Sequence, residues 1–380
     1  MPFSDLGISK HLVKGLEKEK YLKPYPIQKQ TIPAILNKKD VLGIAQTGSG
    51  KTASYVLPVL MNLEGKTTTK NRHINVLVLV PTRELADQVQ GVFRTFCFYL
   101  PYRVKSLAVF GGSSINPQMQ ALQNVNVLVA TPGRLIELAK TNALHLDSIS
   151  TLVLDEADKM LNLGFKDEMD EIFSMLPKKR QNLLFSATLS PDVQNVERLL
   201  LNNPEVFKVE PKTTNLEQIK QVAYSVDEDK RGPLLRYLIK THEMKQVLVF
   251  ASSRYQADLI ADKLGKNDVK AKSIHSKKSQ GYRRDALTNF KAGHLTVLVT
   301  TDLLSRGIDI EFLPYVINYE LPRSPKDFVH RIGRTGRAEN SGTAFTFVTE
   351  DAQHHFKVIQ KKMKKQVEIV DSSQFDLHGF

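Results

Sequence analysis

Short, continuously apolar runs of valine, leucine and isoleucine recur along the chain and alternate with stretches of helical periodicity. The periodicity predicts helices that include 83–100, 253–264 and 280–291. The apolar runs predict strands at 40–44, 76–80, 125–130, 151–154, 182–185, 247–250, 296–300 and 315–318. Strands without polar alternation are typical of a parallel sheet that is covered on both faces. The alternation of strands and helices therefore predicts an α/β fold with doubly wound sheets.

This pattern runs twice along the chain. The first set of elements ends near residue 209, and a second set begins near Ile219. The polar segment between them carries a proline and shows no periodicity, which is typical of a linker. We therefore predict one domain at 1–210, a linker at 211–216, a second domain at 217–365 and a flexible tail at 366–380.

Composition excludes several classes of protein. Hydrophobic residues make up 41% and charged residues 24% of the 380, so a mainly disordered chain, a collagen-like fibre and a coiled-coil rod are excluded. No apolar run approaches the ~20 residues that span a bilayer, and no secretory signal follows Met1. The single Cys97 can form neither an intrachain disulfide nor a zinc site alone. Together these features indicate a cytoplasmic protein without a membrane partner.

The chain is basic, with 53 Lys and Arg against 40 Asp and Glu and a formal net charge of +13. Such an excess favours a polyanionic partner such as nucleic acid, although solubility alone explains it equally well. Lysines also gather at the end of the last predicted helix, 351–365. They can extend a nucleic-acid track or simply form a solvated helix face.

A glycine-rich segment follows the first strand and precedes a helical run. It has the strand–loop–helix context of a P-loop and reads Ala45-Gln46-Thr47-Gly48-Ser49-Gly50-Lys51-Thr52. Glycines let the backbone turn its N–H groups towards phosphate oxygens, and the following helix N-terminus adds positive partial charge. Lys51 is expected at the β- and γ-phosphates of a nucleotide, and the Thr52 hydroxyl at Mg²⁺.

A run of acidic residues, Asp155-Glu156-Ala157-Asp158, directly follows the apolar strand 151–154. At a strand end beside a P-loop, Asp155 is placed to hold Mg²⁺ through water, and Glu156 to act as general base or to orient the attacking water. The alternative is an acidic helix start without chemistry, since acids favour helix N-termini. The P-loop makes the catalytic interpretation the stronger one.

In this order and with their flanks, the two motifs closely resemble those of a DEAD-box RNA helicase of superfamily 2. Further motifs extend the resemblance from about Phe3 to Lys365. The resemblance implies two tandem RecA-like domains, each a mostly parallel sheet covered by helices on both faces. It also implies ATP and Mg²⁺ as cofactors, RNA as the partner, bound mainly through its phosphate backbone, and RNA-dependent ATP hydrolysis as the activity.

The residues before the first strand resemble the family's Q motif, which reads adenine. Gln28 matches the glutamine at the adenine edge, where an amide can donate and accept at once. Phe3 matches the aromatic residue that stacks on the base, and Tyr21 is expected at the nucleotide with it. Lys20 and Tyr25 replace the glycine and the threonine that are usual in the family. For Phe3, a plain hydrophobic anchor is the alternative.

Other segments of the first domain resemble the family's RNA-contacting and coupling motifs. They supply hydroxyls, guanidinium groups and N–H groups at turns and helix starts, which suit a phosphate backbone. The predicted RNA contacts are Pro81, Thr82, Arg83, Gly111, Gly112, Thr131, Pro132, Gly133 and Arg134. Ser186-Ala187-Thr188 is similar to the motif that couples hydrolysis to unwinding, and its hydroxyls are expected to bond to Asp158. A helix-capping serine is the alternative.

The second domain has no P-loop of its own but carries a second series of family motifs. Arg334 and Arg337 match the arginine fingers, and two guanidinium groups three residues apart can share one helix face. Asp309, together with Gly307, matches the residue at the ribose hydroxyl, and His330 matches a coupling residue. The predicted RNA contacts of this domain are Arg254, Gln280, Arg283 and Thr300.

The resemblance implies a mechanism that depends on domain closure. ATP and single-stranded RNA together are expected to bring the arginines of one domain to the γ-phosphate held by the other. Closure would then separate short RNA duplexes or remodel RNA–protein complexes. Because both half-sites lie in one chain, a monomer is expected. An ATP-dependent RNA clamp that nucleates an assembly and a DNA-directed helicase of the same superfamily are the alternatives.

Overall fold

The computed structural model describes residues 1–46, 48–64, 71–209, 219–302, 313–335 and 342–380. Its contacts divide the chain into two compact units, Met1–Pro211 and Lys212–Phe380. Each unit contains a seven-stranded sheet in which all neighbouring strands are parallel. The predicted α/β class with two tandem RecA-like domains is therefore confirmed. The predicted linker 211–216 lies outside the described residues.

Unit 1 opens with a short 3-10 helix, Phe3–Leu6, and then alternates helices and strands. Its strands are β1 Val41–Ile44, β2 Val76–Leu79, β3 Ser106–Val109, β4 Val127–Ala130, β5 Thr151–Leu154, β6 Gln181–Ser186 and β7 Glu205–Lys208. Its helices are α1 Lys10–Lys18, α2 Pro26–Leu36, α3 Lys51–Met61, α4 Arg83–Cys97, α5 Ile115–Ala121, α6 Pro132–Lys140, α7 Ala157–Asn162, α8 Lys166–Met175 and α9 Pro191–Leu200.

Unit 2 repeats the alternation. Its strands are β8 Ile219–Ser225, β9 Val247–Phe250, β10 Ala271–Ile274, β11 Val297–Thr300, β12 Tyr315–Asn318, β13 Gly342–Val348 and β14 Ile369–Asp371. Its described helices are α10 Arg231–Thr241, α11 Arg254–Gly265, α12 Gln280–Lys291, α13 Pro325–Ile332 and α14 Gln353–Met363, with short 3-10 helices at Glu350–Ala352 and Ser372–Gln374. None of the described helices of either unit combines the length and apolarity that a membrane-spanning helix needs.

Both faces of each sheet are buried, which explains the apolar strands. In unit 1 the alternate residues Val76 and Val78 of β2 pack with α3 and α4, whereas Leu77 and Leu79 pack on the other face with helices from α6 to α9. In unit 2 the strands likewise divide between a cluster with α10 and α11 and two clusters with α12, α13 and α14. A strand between two helical layers has no solvent face, so alternation is lost.

The strand order places the motifs of unit 1 along a single edge. The order is β3-β4-β2-β5-β6-β1-β7, and all carboxyl ends of these parallel strands lie at the same edge. The predicted RNA-contacting segments follow β3, β4 and β2. The acidic run follows β5, Ser186 ends β6, and the glycine-rich loop follows β1. The edge is therefore divided into an RNA-motif half and a nucleotide-motif half, which meet at Asp155.

The segment 366–380 differs from its prediction as a flexible tail. Its strand β14 pairs in parallel with β8, so the segment supplies the edge strand of the sheet. The ring of Phe375 stacks on Tyr237 with centroids 5.2 Å apart and meets Tyr224 edge-on at 5.7 Å. The segment is polar in sequence, but two interactions order it. Its backbone pairs with the free side of β8, and Phe375 joins an aromatic cluster of the same unit.

The lysine-rich end of α14 lies at the amino edge of the sheet of unit 2. Lys365 donates from Nζ to the carbonyl of Ile219, which is the first residue of β8, at 3.4 Å. Since β8 starts at the amino edge of the parallel sheet, these lysines lie at the edge opposite the predicted RNA contacts. This position favours a solvated helix face over an extension of the RNA track.

Candidate functional site

The glycine-rich loop connects β1 to α3 and is tightly folded. Lys51 is the first residue of α3, and its buried Nζ donates to the Ala45 carbonyl at 2.5 Å. Gly50 is the helix N-cap with φ 85°, and a Cβ there would lie 2.6 Å from Nε2 of Gln28. Only glycine tolerates both the left-handed backbone and this close approach. The loop therefore has the bend that a phosphate cradle requires.

Gln28 ties the segment before β1 to this loop. Its side chain is fully buried, its Oε1 accepts from the Tyr25 N–H at 2.9 Å, and its Nε2 donates to the Gly50 carbonyl at 2.9 Å. Phe3 is only 4% exposed within the core, and the ring of Tyr21 packs edge-on against Phe96 at 5.6 Å. The burial of Phe3 is that of a hydrophobic anchor, the alternative given for this residue. Contact of Gln28, Phe3 and Tyr21 with adenine stays a prediction.

The two carboxylates after β5 are buried and only partly paired. Asp155 is 1% and Glu156 7% exposed. Oδ2 of Asp155 accepts from the Tyr55 hydroxyl at 2.9 Å, and Oε1 of Glu156 accepts from Nζ of Lys159 at 2.7 Å. The other oxygen of each carboxylate is buried and has no hydrogen-bond partner among the described residues. Glu156 also adopts φ 55°, a strained backbone for a residue with a side chain.

Burial dominates the protonation of these groups. It raises the pKa of Asp155, while the Lys51 charge and the Tyr55 hydrogen bond act in the opposite direction. Burial likewise raises the pKa of Glu156, against the charge of Lys159. The pKa of Tyr55 is raised well above its usual value by burial and then by the Asp155 charge, so Tyr55 is the hydrogen-bond donor of the pair.

The donor set suits a divalent cation that is bound together with phosphates. Oδ1 of Asp155, which is buried and has no hydrogen-bond partner among the residues described, is the kind of ligand that Mg²⁺ prefers, and Mg²⁺ sites commonly use one or two carboxylates plus phosphate and water. Within the described parts of the chain, no three His, Cys, Asp or Glu side chains cluster to form a metal cage. The residues therefore fit Mg²⁺ that is held largely through water beside a nucleotide.

One of the two hydrogen bonds expected for the coupling motif is present. Oγ1 of Thr188 donates to Oδ2 of Asp158 at 3.0 Å, which links the segment after β6 to the acidic run. The Ser186 hydroxyl differs from its prediction, because it donates to the Thr188 carbonyl at 2.7 Å. Ser186 thus shapes the turn that presents Thr188, and only Thr188 reaches the carboxylate.

The predicted RNA contacts of unit 1 converge at the other half of the edge. Nη1 of Arg83 donates to the Gly112 carbonyl at 3.4 Å, and Nη2 of Arg134 donates to the Ser113 carbonyl at 2.8 Å. Gly112 has φ 72°, and a Cβ there would lie 2.0 Å from Nη2 of Arg83. Two helices also begin at this edge, because Thr82 is the N-cap of α4 and Thr131 is the N-cap of α6. The structure therefore brings all three segments together.

The predicted RNA contacts of unit 2 differ in accessibility. Arg254, the first residue of α11, is exposed. Arg283 is 3% exposed and donates from Nη2 to Oε1 of Gln280 at 2.7 Å. Thr300, at the end of β11, is fully buried and donates to the Thr301 carbonyl at 3.3 Å. Among these four residues, Arg254 is therefore the most open to a ligand.

The expectation that Arg334 and Arg337 share a helix face is wrong for Arg334. Helix α13 ends at Ile332, and Arg334 follows in a turn whose carbonyl accepts from the Leu313 N–H at 3.1 Å. Gly333 caps the helix and ends it before the arginine. His330 lies on α13 and is exposed. The remaining site predictions, Thr47, Gly307, Asp309 and Arg337, lie outside the described residues.

Two interactions at the sites have no clear signal in the sequence. One is the hydrogen bond from Tyr55, a residue inside the apolar run of α3, to Asp155. The other is the ion pair of the buried Arg331 with the half-buried Asp302, with Nη2–Oδ2 2.7 Å and Nε–Oδ1 2.5 Å. Both join residues that are far apart in the chain. A carboxylate two residues after the end of a buried strand, as at Asp302, is the only hint that the sequence offers.

Protein-family models match both units. Residues 25–196 match the family described as "DEAD/DEAH box helicase", and residues 229–339 match "Helicase conserved C-terminal domain". The DEAD-box ATP-dependent RNA helicase CshA of Geobacillus kaustophilus is 38% identical over 96% of this chain and 77% of its own length. The DEAD-box ATP-dependent RNA helicase RhpA of Helicobacter pylori is 37% identical over 97% of this chain and 74% of its own.

A solved structure supports the same relationship. S. cerevisiae Dbp5 bound to RNA and ADP BeF3 superposes on 97% of this chain and 95% of its own with a TM-score of 0.82 and 28% sequence identity. That relative holds both RNA and a nucleotide analogue on the same fold. The fold, the sequence motifs and the similar proteins therefore all indicate the same family.

Proposed function

This chain belongs to the DEAD-box family of ATP-dependent RNA helicases, and we propose that RNA binding triggers its ATP hydrolysis by bringing groups from both units to one nucleotide. The released energy locally unwinds short RNA duplexes or remodels RNA–protein complexes. The observation that carries the proposal is the buried pair Asp155 and Glu156 beside the positive charge of Lys51, because one oxygen of each carboxylate has no hydrogen-bond partner in the part of the chain that the structure describes. Such a pair is costly unless a cation or a reacting group uses it.

Within unit 1 the residues have distinct roles in this proposal. The loop Gln46–Thr52 wraps the phosphates, and Lys51 leaves the Ala45 carbonyl to meet the β- and γ-phosphates. Thr52 and Asp155 hold Mg²⁺, which when bound neutralises phosphate charge. Glu156 takes the proton of the attacking water or orients it.

Adenine recognition and the second half of the site complete the nucleotide contacts. Gln28 reads the adenine edge with Phe3 and Tyr21 nearby, and Gly307 and Asp309 meet the ribose. Arg334 and Arg337 stabilise the charge that develops on the γ-phosphate, a contribution of about 10³–10⁵ in rate for arginine fingers. The hydrogen bond between Thr188 and Asp158, together with His330, couples ATP binding and hydrolysis to RNA binding at the RNA-motif half of the edge.

RNA contacts are proposed along the RNA-motif half of unit 1 and at the corresponding segments of unit 2. The convergence of Arg83, Gly112 and Arg134 supports this assignment, because guanidinium groups and turn N–H groups fit a phosphate backbone. Binding through phosphates and 2′-hydroxyls is largely independent of sequence. A monomeric state and a cytoplasmic location belong to the same proposal.

Substitution of Glu156 tests the proposal. Glu156→Gln keeps the shape of the side chain but removes the base, so RNA-stimulated ATP hydrolysis should fall at least about a hundredfold while nucleotide binding persists. ATP turnover is measured against increasing single-stranded RNA, and again with DNA of the same sequence. Glu171→Gln is a matched control, because Glu171 lies on α8 and pairs with Lys140 at 2.7 Å outside the site.

Each result has a defined meaning. Wild-type turnover by Glu156→Gln would contradict the assigned role of that residue. Equal stimulation by RNA and DNA would contradict an RNA-specific activity. Slow RNA release without strand separation of a short duplex would favour the clamp over the helicase.

A further inference from the structure

Tyr55 is a buried tyrosine whose hydroxyl points at the acidic run. It lies on α3, one helical turn after Thr52, and has no solvent exposure. Its ring packs between Phe185, with centroids 5.3 Å apart, and Phe93 at 6.5 Å. Its hydroxyl donates to Oδ2 of Asp155 at 2.9 Å, across 100 residues of chain.

Packing alone does not explain the hydroxyl. The ring of Tyr55 belongs to an apolar cluster and packs beside Phe93 and Phe185, contacts that a phenylalanine would make equally well. A buried hydroxyl carries a desolvation cost that only a good hydrogen bond offsets. The benefit of the hydroxyl therefore lies at the site, where it donates to Asp155 and where the Thr52 side chain also acts on it, lowering its pKa against the larger effect of burial.

The hydrogen bond makes the two oxygens of Asp155 unequal. Oδ2 is occupied by Tyr55, whereas Oδ1 is buried and has no hydrogen-bond partner among the described residues. A carboxylate held at one oxygen cannot rotate freely about its Cβ–Cγ bond, so the second oxygen keeps one direction. Metal ligands in proteins are commonly oriented in this way by a neighbouring donor.

We propose that Tyr55 is a positioning residue for the divalent cation: its hydroxyl holds Oδ2 of Asp155 and so reserves Oδ1 for the water shell of Mg²⁺. Thr52, the other residue expected at the cation, lies three residues earlier on the same helix, so α3 supports both sides of the metal position. The inference rests on the nucleotide site of the proposed function. It adds a residue that acts on the cation without contacting it.

Substitution of Tyr55 by phenylalanine isolates the hydroxyl. We expect Tyr55→Phe to raise the Mg²⁺ concentration needed to tighten binding of a fluorescent ADP analogue about tenfold, the lower end for loss of a group that orients a metal ligand. Affinity for the same analogue without Mg²⁺ should stay at the wild-type value. The measurement uses the full chain and contains neither RNA nor turnover.

Tyr102→Phe is the matched control. The Tyr102 hydroxyl donates to the Leu60 carbonyl at 2.8 Å, so this variant also removes one phenolic hydrogen bond to a residue of α3, but away from Asp155. Its Mg²⁺ requirement should equal that of the wild type. Thermal unfolding of all variants ensures that binding is compared for folded protein.

A double-mutant cycle makes the test specific. If Tyr55 acts through Asp155, Tyr55→Phe should not change the Mg²⁺ requirement further in an Asp155→Asn background. An unchanged requirement in the single variant, an equal loss of affinity with and without Mg²⁺, or full additivity in the cycle would each overturn the proposal. Missing RNA stimulation of wild-type turnover would instead contradict the proposed function and leave the Mg²⁺ result intact.

Discussion

Arg331 shows how much a single residue can organise. It is 1% exposed, and its guanidinium group forms two hydrogen bonds with Asp302, one with Oδ1 of Asn318 at 3.2 Å and one with the Glu320 carbonyl at 2.6 Å. It also lies 4.9 Å from the ring centroid of Phe250. One side chain therefore joins α13 to the carboxyl ends of three neighbouring strands of unit 2.

Loss of this guanidinium group should be strongly destabilising. Arg331→Leu leaves the Asp302 carboxylate, which is 30% exposed, without its bidentate partner. Breaking one side of a buried ion pair costs about 3–5 kcal/mol, and the partial exposure of Asp302 places the expected loss at the lower end, about 3 kcal/mol. Urea unfolding followed by circular dichroism measures the change in the free energy of unfolding. The exposed Arg323→Leu is the control and should stay within about 0.5 kcal/mol of the wild type. Similar small losses in both variants would show that Arg331 does not hold unit 2 together.

At the scale of an element, the end of α1 explains a departure from the usual family pattern. Lys20 stands where glycine is usual and adopts φ 62°. The Tyr21 N–H donates to the Leu16 carbonyl at 2.8 Å and the Lys20 N–H to the Glu17 carbonyl at 3.1 Å, which is the hydrogen-bond pattern of a Schellman cap. The turn into the Q motif thus keeps its geometry, although its residue at the left-handed position has a side chain.

Restoring glycine at this turn should stabilise the protein. A left-handed backbone costs a residue with a Cβ about 1–2 kcal/mol, part of which is offset by the greater entropy of glycine in the unfolded chain. We expect Lys20→Gly to raise the free energy of unfolding by about 0.5–1 kcal/mol. Lys18→Gly, inside the last turn of α1, should lower it by roughly the same amount. Chemical denaturation decides, and destabilisation by both variants would contradict the strain at Lys20.

At the scale of the whole molecule, charge and topology act together. A net charge of +13 attracts any polyanion, but the fold selects where phosphates are bound. In unit 1 Arg83 and Arg134 of the RNA motifs follow β2 and β4 at the carboxyl edge of the sheet, whereas Arg103 precedes β3 at the opposite edge. Net charge therefore determines how strongly RNA is attracted to the protein, and the motif edge determines where its phosphates bind.

Salt dependence distinguishes these two kinds of arginine. Arg83→Gln should weaken binding of single-stranded RNA and lower the slope of log affinity against log salt by about 0.7, the value for one lost phosphate contact. Fluorescence anisotropy at several salt concentrations measures this slope. The exposed Arg103→Gln should leave the slope unchanged. An equal change in both variants would indicate diffuse attraction in place of a defined contact.

The sequence by itself determined the elements and the chemistry. The apolar runs at 151–154, 247–250 and 315–318 are strands with those bounds, because β-branched and leucine-rich runs buried on both faces have no alternative packing in an α/β fold. The glycine-rich loop and the acidic run were also recognisable, because each is a contiguous segment whose residues act together. Local patterns of this kind need no knowledge of distant neighbours.

Only the tertiary structure decided which distant residues meet. The strand order brings Tyr55 to Asp155, Arg331 to Asp302 and Thr188 to Asp158, and it pairs β14 with β8 in a segment that the sequence suggested was a flexible tail. None of these contacts follows from periodicity, since each depends on how non-consecutive strands are arranged side by side. Helix ends are similar, because Gly333 stops α13 before Arg334 through a turn that pairs with Leu313. Residue types fix what a side chain can do, and the order of the strands fixes which partner it finds.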